Sequence, residues 1–200
     1  MKRRLTLVLV IVFTLSLTTT TLAFGIGERV FSPPVIATAM GDGTGSFVVE
    51  IVSQWNGLEY TNMLALTTEI LEEMLLLDNS PRTLLLATGV LVESDICTVC
   101  GDAEMDIEKE VKRIEDLIVL ARESGLLIVG MHIVEAFPTP ERSYEQSISL
   151  IMPRADLILL VSPGGADEYF GNLSEVNGIP LISVNSAMEL GGALQAIFPR

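Results

Sequence analysis

The chain has 200 residues, 49% of them apolar, and a formal net charge of −14 at pH 7. That length fits one domain with an ample core. The negative charge sets it against nucleic acid phosphates and anionic lipid, so neither is expected as a partner.

The first residues read as an export signal. Lys2, Arg3 and Arg4 precede residues 5–17, which are apolar apart from Thr6, Thr14 and Ser16. Residues 18–23 then end in Thr-Leu-Ala, a small-x-small pattern that predicts cleavage after Ala23. An apolar core of 13 residues falls short of the roughly 20 that a membrane-spanning helix needs. No cysteine follows it closely enough for a lipid anchor. Residues 24–200 are thus expected to form a single exported domain, periplasmic or extracellular, with no membrane attachment after cleavage. Loss of Lys2, Arg3 and Arg4 takes the charge from −14 to −17.

From residue 35 onward, short apolar runs alternate with segments of helical spacing. Residues 35–39 read as a first strand, bounded by Pro33 and Pro34. Thr44 or Ser46 can cap a helix whose apolar positions are Phe47, Val48, Ile51, Val52 and Trp55, and Gly57 ends it. Trp55 is expected to pack on the sheet. Residues 58–63 are a weaker strand, and residues 68–77 a helix with Glu69, Glu72 and Glu73 on a solvated face. Residues 84–88 are a strand. Asp106 can cap a helix over 107–124 that buries Ile107, Val111, Ile114, Leu117, Ile118 and Ala121, with Glu108 and Lys112 paired on its outer side and Gly125 at its end. Residues 126–131 are a strand. Ser143 and Gln146 suggest a capping box for a helix closed by Pro153. Residues 157–161 and 181–184 complete the strands, and residues 167–176 and 187–197 the helices.

Uninterrupted apolar runs suit strands buried on both faces. Their alternation with helices predicts a three-layer α/β fold of the Rossmann-like, flavodoxin-like kind. It is doubly wound, with a mainly parallel sheet of five or six strands and helices on both faces.

Three stretches carry a resemblance: PPVIATA at residues 33–39, GLLIVGMHIVEA from Gly125, and ADLILLVSPGGADEYFGNLSEVNGIPLISV from Ala155 to Val184. Together they resemble an exported bacterial family numbered 6305 among domains of unknown function. Gly130-Met-His-Ile133 is the most specific element. The resemblance implies an exported α/β protein and no accepted activity. The family is rich in Gly, Ser and Ala after the third strand, where this chain has Glu93, Asp95, Cys97 and Cys100.

Ligands of open parallel sheets bind beyond the carboxyl ends of the strands. Candidate residues gather there. Gly41, Gly43, Gly45 and Ser46 leave the first strand and open a helix, where backbone amides could meet a polar or anionic group. Asp42 opposes an anion, and the turn has neither a dinucleotide fingerprint nor a Walker lysine. His132, the sole histidine, follows an apolar run and could bond a ligand, hold a metal or move a proton. Cys97-Thr-Val-Cys100 admits three readings: a local disulfide, zinc held with His132, or a redox dithiol. Carboxylates on both sides of the pair raise thiol pKa and disfavour the last. No Gly-x-Ser-x-Gly elbow is present.

The leading expectation is small-ligand binding rather than catalysis, at Gly41, Gly43, Gly45, Ser46 and His132. A metal or thiol protein built on Cys97, Cys100 and His132 is the alternative, and a structural envelope module the third. The signal reading predicts that the mass of the exported protein begins at Phe24; a chain retaining Met1 would refute it.

Overall fold

The computed structural model describes residues 29–41, 43–91, 106–133, 144–163 and 168–199, together with the backbone of 96–97 and 103–104. The expected signal segment, Asp42, Cys100 and the loop residues Glu93, Asp95 and Ser143 lie outside these.

Eight strands are present among the described residues: β1 Val35–Ala39, β2 Tyr60–Asn62, β3 Thr83–Ala87, β4 Ile96–Cys97, β5 Ala103–Glu104, β6 Leu127–Ile133, β7 Leu157–Val161 and β8 Leu181–Val184. Six helices accompany them: α1 Gly45–Asn56, α2 Thr68–Leu75, α3 Ile107–Glu123, α4 Glu145–Ile151, α5 Glu168–Asn177 and α6 Leu190–Ile197. Strands β4 and β5 pair as an antiparallel hairpin. The other six form one sheet in the order β2-β1-β3-β6-β7-β8, and every pair in it is parallel. The expected doubly wound, flavodoxin-like fold is therefore present. The weak segment around residue 60 is a three-residue edge strand, and β8 forms the opposite edge.

The winding follows from handedness. The β1–α1–β2 crossover steps one way, and each later crossover steps the other way. Right-handed connections then put α1 on one face and α2 to α5 on the other. Helix α6 returns to the α1 face. Val49 and Val52 of α1 and Leu190, Leu194 and Ile197 of α6 pack there with Val35, Ala37, Leu85, Val129 and Leu159. Ile36, Leu84, Leu86 and Ile128 point the other way, against Leu71, Ile114, Leu117 and Ile151. Ile158 and Leu160 meet Ile148, Met152 and Phe170. Burial on both faces is why β1, β3 and β7 show no polar alternation.

Helix α3 starts as expected: Asp106 accepts a hydrogen bond from the Lys109 amide at 3.1 Å, and Gly125 turns away at φ 75°. Two local expectations change. Lys112 closes on Asp116 at 2.8 Å, leaving Glu108 to the positive end of the helix. Helix α4 is capped by Tyr144 with no side-chain bond, and a 3-10 turn over Met152–Arg154 continues it.

The larger correction is in α1. Its buried residues are Gly45, Ser46, Val49, Val52 and Ser53, whereas Trp55 is 75% exposed and Phe47 and Ile51 also face outward. The helix carries two apolar rows. The sheet lies close under its first turn: a Cβ at Gly45 would lie 3.0 Å from Met131 Cε and 3.2 Å from the Cβ of Ala87. Close approach selects the row of small residues, and the bulky row is left outside.

At the amino edge of the sheet, Asp156 is 3% exposed and accepts from Arg29 at 2.7 Å, Arg122 at 2.6 Å and the Ile128 amide at 2.8 Å. This carboxylate ties the first described residue to α3 and β6. Asp156→Ala leaves the Ile128 amide without its acceptor and removes the carboxylate that Arg29 and Arg122 share. Urea denaturation should show a loss of about 2–3 kcal/mol; a loss under 0.5 kcal/mol would mean the arginines hold nothing.

Candidate binding site at the carboxyl edge of the sheet

Strands β1 and β3 are neighbours whose onward connections diverge, which opens a crevice above their carboxyl ends. The glycine turn stands at its rim. Gly41 has φ 63°, a left-handed conformation suited to glycine. A Cβ at Gly43 would sit 2.8 Å from the Thr88 carbonyl oxygen, and one at Gly89 2.0 Å from that of Met40. These glycines let two loops lie against each other.

The Gly41 amide is already engaged. It donates to Glu110 Oε1 at 2.7 Å. Glu110 is held by Arg113 through Nε at 2.8 Å and Nη2 at 2.6 Å. Arg113 also donates to the carbonyls of Ala39 at 2.7 Å and Leu66 at 2.8 Å. One ion pair, 17% and 11% exposed, thus fastens the end of β1 and the approach to α2 onto α3. Sequence reasoning did not single out Glu110 or Arg113. Their signal was present: Glu110 lies in line with Ile114 and Leu117 on the buried side of α3.

His132 lies within β6, one residue before its end, and is 7% exposed. Its Nδ1 lies 2.7 Å from Thr88 Oγ1. Its ring stacks on Phe170 at 5.0 Å and meets the edge of Tyr144 at 5.2 Å. Both hold because residues 128, 130 and 132 face the α4–α5 layer. Ser147 donates from Oγ to the Gly89 carbonyl at 2.8 Å, which ties α4 to the loop after Thr88. Gly43, Thr88 and His132 therefore form one continuous line across β1, β3 and β6. Thr88, Ser147, Tyr144 and Phe170 were not foreseen. Only Thr88 had a signal, as the polar end of an apolar run.

Gly45 and Ser46 open α1, as expected of the turn. Both lie inside the first turn of α1 and are buried. The backbone carbonyl of Ser46 accepts from the Tyr60 hydroxyl of β2 at 2.9 Å. The structure thus brings Gly41, Gly43 and His132 to one edge and sets Ser46 against another strand. Cys97 pairs through its backbone with Ala103 in the hairpin, on a strand rather than at a helix start. The disulfide, zinc and dithiol readings need Cys100, which lies outside the described residues. Among the described residues no group of three or more His, Cys, Asp or Glu is placed to hold a metal.

Removing the Glu110 carboxylate leaves Arg113 and the Gly41 amide facing a carboxylate-sized gap. Glu110→Ala should cost about 2–3 kcal/mol in urea denaturation, and acetate should restore part of it. Equal loss with and without acetate would show that the gap closes.

A search of curated proteins finds no match to this chain. Among solved structures, a "putative acylhydrolase" from Bacteroides fragilis aligns with 83% of this chain and 76% of its own, at 13% identity and a TM-score of 0.34. A score that low carries no argument about this chain. The model of one family, described as a domain of unknown function (DUF6305), matches residues 32–198. That span takes in the whole sheet and both sides of the crevice, and the chain belongs to this family.

Proposed function

We propose that this protein is exported and binds a small polar molecule at the carboxyl edge of the sheet, with His132 as the anchoring group. The supporting observation is the setting of His132. A strand end, a hydroxyl and two aromatic rings fix the imidazole beside the switch point. Fixed orientation lowers the cost of ordering on binding.

The same edge bears on the ligand's charge. Of the cations described near it, Arg113 is paired with Glu110, Lys109 with Asp106 and Lys112 with Asp116. Glu110 holds the Gly41 amide, so an anion would have to displace it. An uncharged polar ligand fits this better than an anion. A hydroxyl 2.7 Å from an imidazole is also the arrangement of a nucleophile and its base. Thr88 is only 5% exposed, which favours a role in orienting the ring.

The sole histidine gives a single set of imidazole NMR signals, which serve as the reporter. Uncharged polyols and amides form one panel, acetate and phosphate another. A member of the first should shift the His132 resonances, with Thr88→Val weakening it about tenfold, or ~1.4 kcal/mol. Binding that leaves His132 unmoved, or no binding from either panel, refutes the proposal.

A further inference from the structure

On the far side of α1 from His132, the helix meets the edge strand β2 through polar side chains. Ser46 and Glu50 lie one turn apart on α1, and Tyr60 and Asn62 share one face of β2. Tyr60 donates to the Ser46 carbonyl at 2.9 Å, and Asn62 Nδ2 to Glu50 Oε2 at 3.2 Å. Two side-chain oxygens on these residues are enclosed and unpartnered: Ser46 Oγ, on a fully buried residue, and Asn62 Oδ1. A buried polar atom without a partner is costly, on the order of 1–3 kcal/mol, and calls for an occupant.

The seam is rich in acceptors. The four residues carry the Glu50 carboxylate, the Tyr60 hydroxyl, the Ser46 carbonyl, and the unpartnered Asn62 Oδ1 and Ser46 Oγ. The seam's two strong donors, the Tyr60 hydroxyl and Asn62 Nδ2, are already used within it. Burial first, and the Glu50 charge second, push the Tyr60 phenol above its ordinary range, so it stays a neutral oxygen. One carboxylate among neutral oxygens is the donor set of a hard cation. Glu50, Tyr60 and Asn62 are only part-buried and β2 is a sheet edge, so the seam has an entry from solvent. The net charge of −14 raises the local concentration of cations.

We propose that the α1–β2 seam is a calcium-class cation site formed by Glu50, Asn62, Ser46 and Tyr60. With one carboxylate the affinity is weak, about millimolar, in the range of extracellular modules. This site is independent of the ligand site at His132.

The test uses terbium as a calcium substitute, with tyrosine-sensitised luminescence as readout in a Trp55→Phe background at constant sodium chloride. Calcium should displace the signal. Tyr60→Phe and Glu50→Gln should each lower it at least fivefold while circular dichroism stays unchanged. Asn62→Asp, which adds a carboxylate, should tighten calcium binding about tenfold and add to the thermal stabilisation that calcium gives. Luminescence unchanged in Tyr60→Phe would place terbium on the acidic surface and overturn the proposal. So would no calcium response in Asn62→Asp, leaving the enclosed oxygens to water alone.

Discussion

The handedness of parallel crossovers governs this molecule. Only one connection, β1 to β2, steps against the direction of the others. That single reversal puts α1 alone on its face until α6 returns. It separates α1 from α2 and α3 and opens the crevice above β1 and β3. Each candidate residue takes its place from that choice. Gly41 and Gly43 leave β1 beside the reversal, Thr88 ends the neighbouring strand, and His132 stands one strand further on. Right-handed connection is a steric preference of twisted strands, so the crevice follows from chain order rather than from any one contact.

Polar contacts at the two ends of the sheet then fix what the apolar layers leave loose. Apolar packing is non-directional and does not set the angle of a loop. At the amino edge Asp156 gathers Arg29, Arg122 and the Ile128 amide. At the carboxyl edge Arg113 and Glu110 gather β1, the approach to α2 and the glycine turn. Both groups lie between layers and bond backbone atoms as well as side chains. They act as registers between elements, and buried polar groups do so well because a wrong arrangement leaves them unsatisfied.

The carboxyl edge therefore has two unlike neighbourhoods on the two faces of the sheet. On the α4–α5 side, His132 lies among aromatic rings and hydroxyls. On the α1 side, the seam with β2 is acceptor-rich and opens at a sheet edge. Different strands and helices build the two neighbourhoods.

Much of this was legible in the sequence. The apolar runs at 35–39, 157–161 and 181–184 coincide with strands; for the first two, burial on both faces is the reason. Asp106, Gly57 and Gly125 marked helix ends through local backbone chemistry, which needs no tertiary partner. His132 was expected just past a strand ending at residue 131; β6 runs on through Ile133, so His132 stands one residue inside the strand end and is buried. Tertiary structure alone decided the rest. It buried the small row of α1 and left Trp55 outside, because the depth of helix docking depends on the sheet below. It put Glu110 on the Gly41 amide across 69 positions of chain and the Tyr60 hydroxyl on the Ser46 carbonyl. Periodicity gives which residues share a face; only the packed layers determine which face is covered and which distant groups meet.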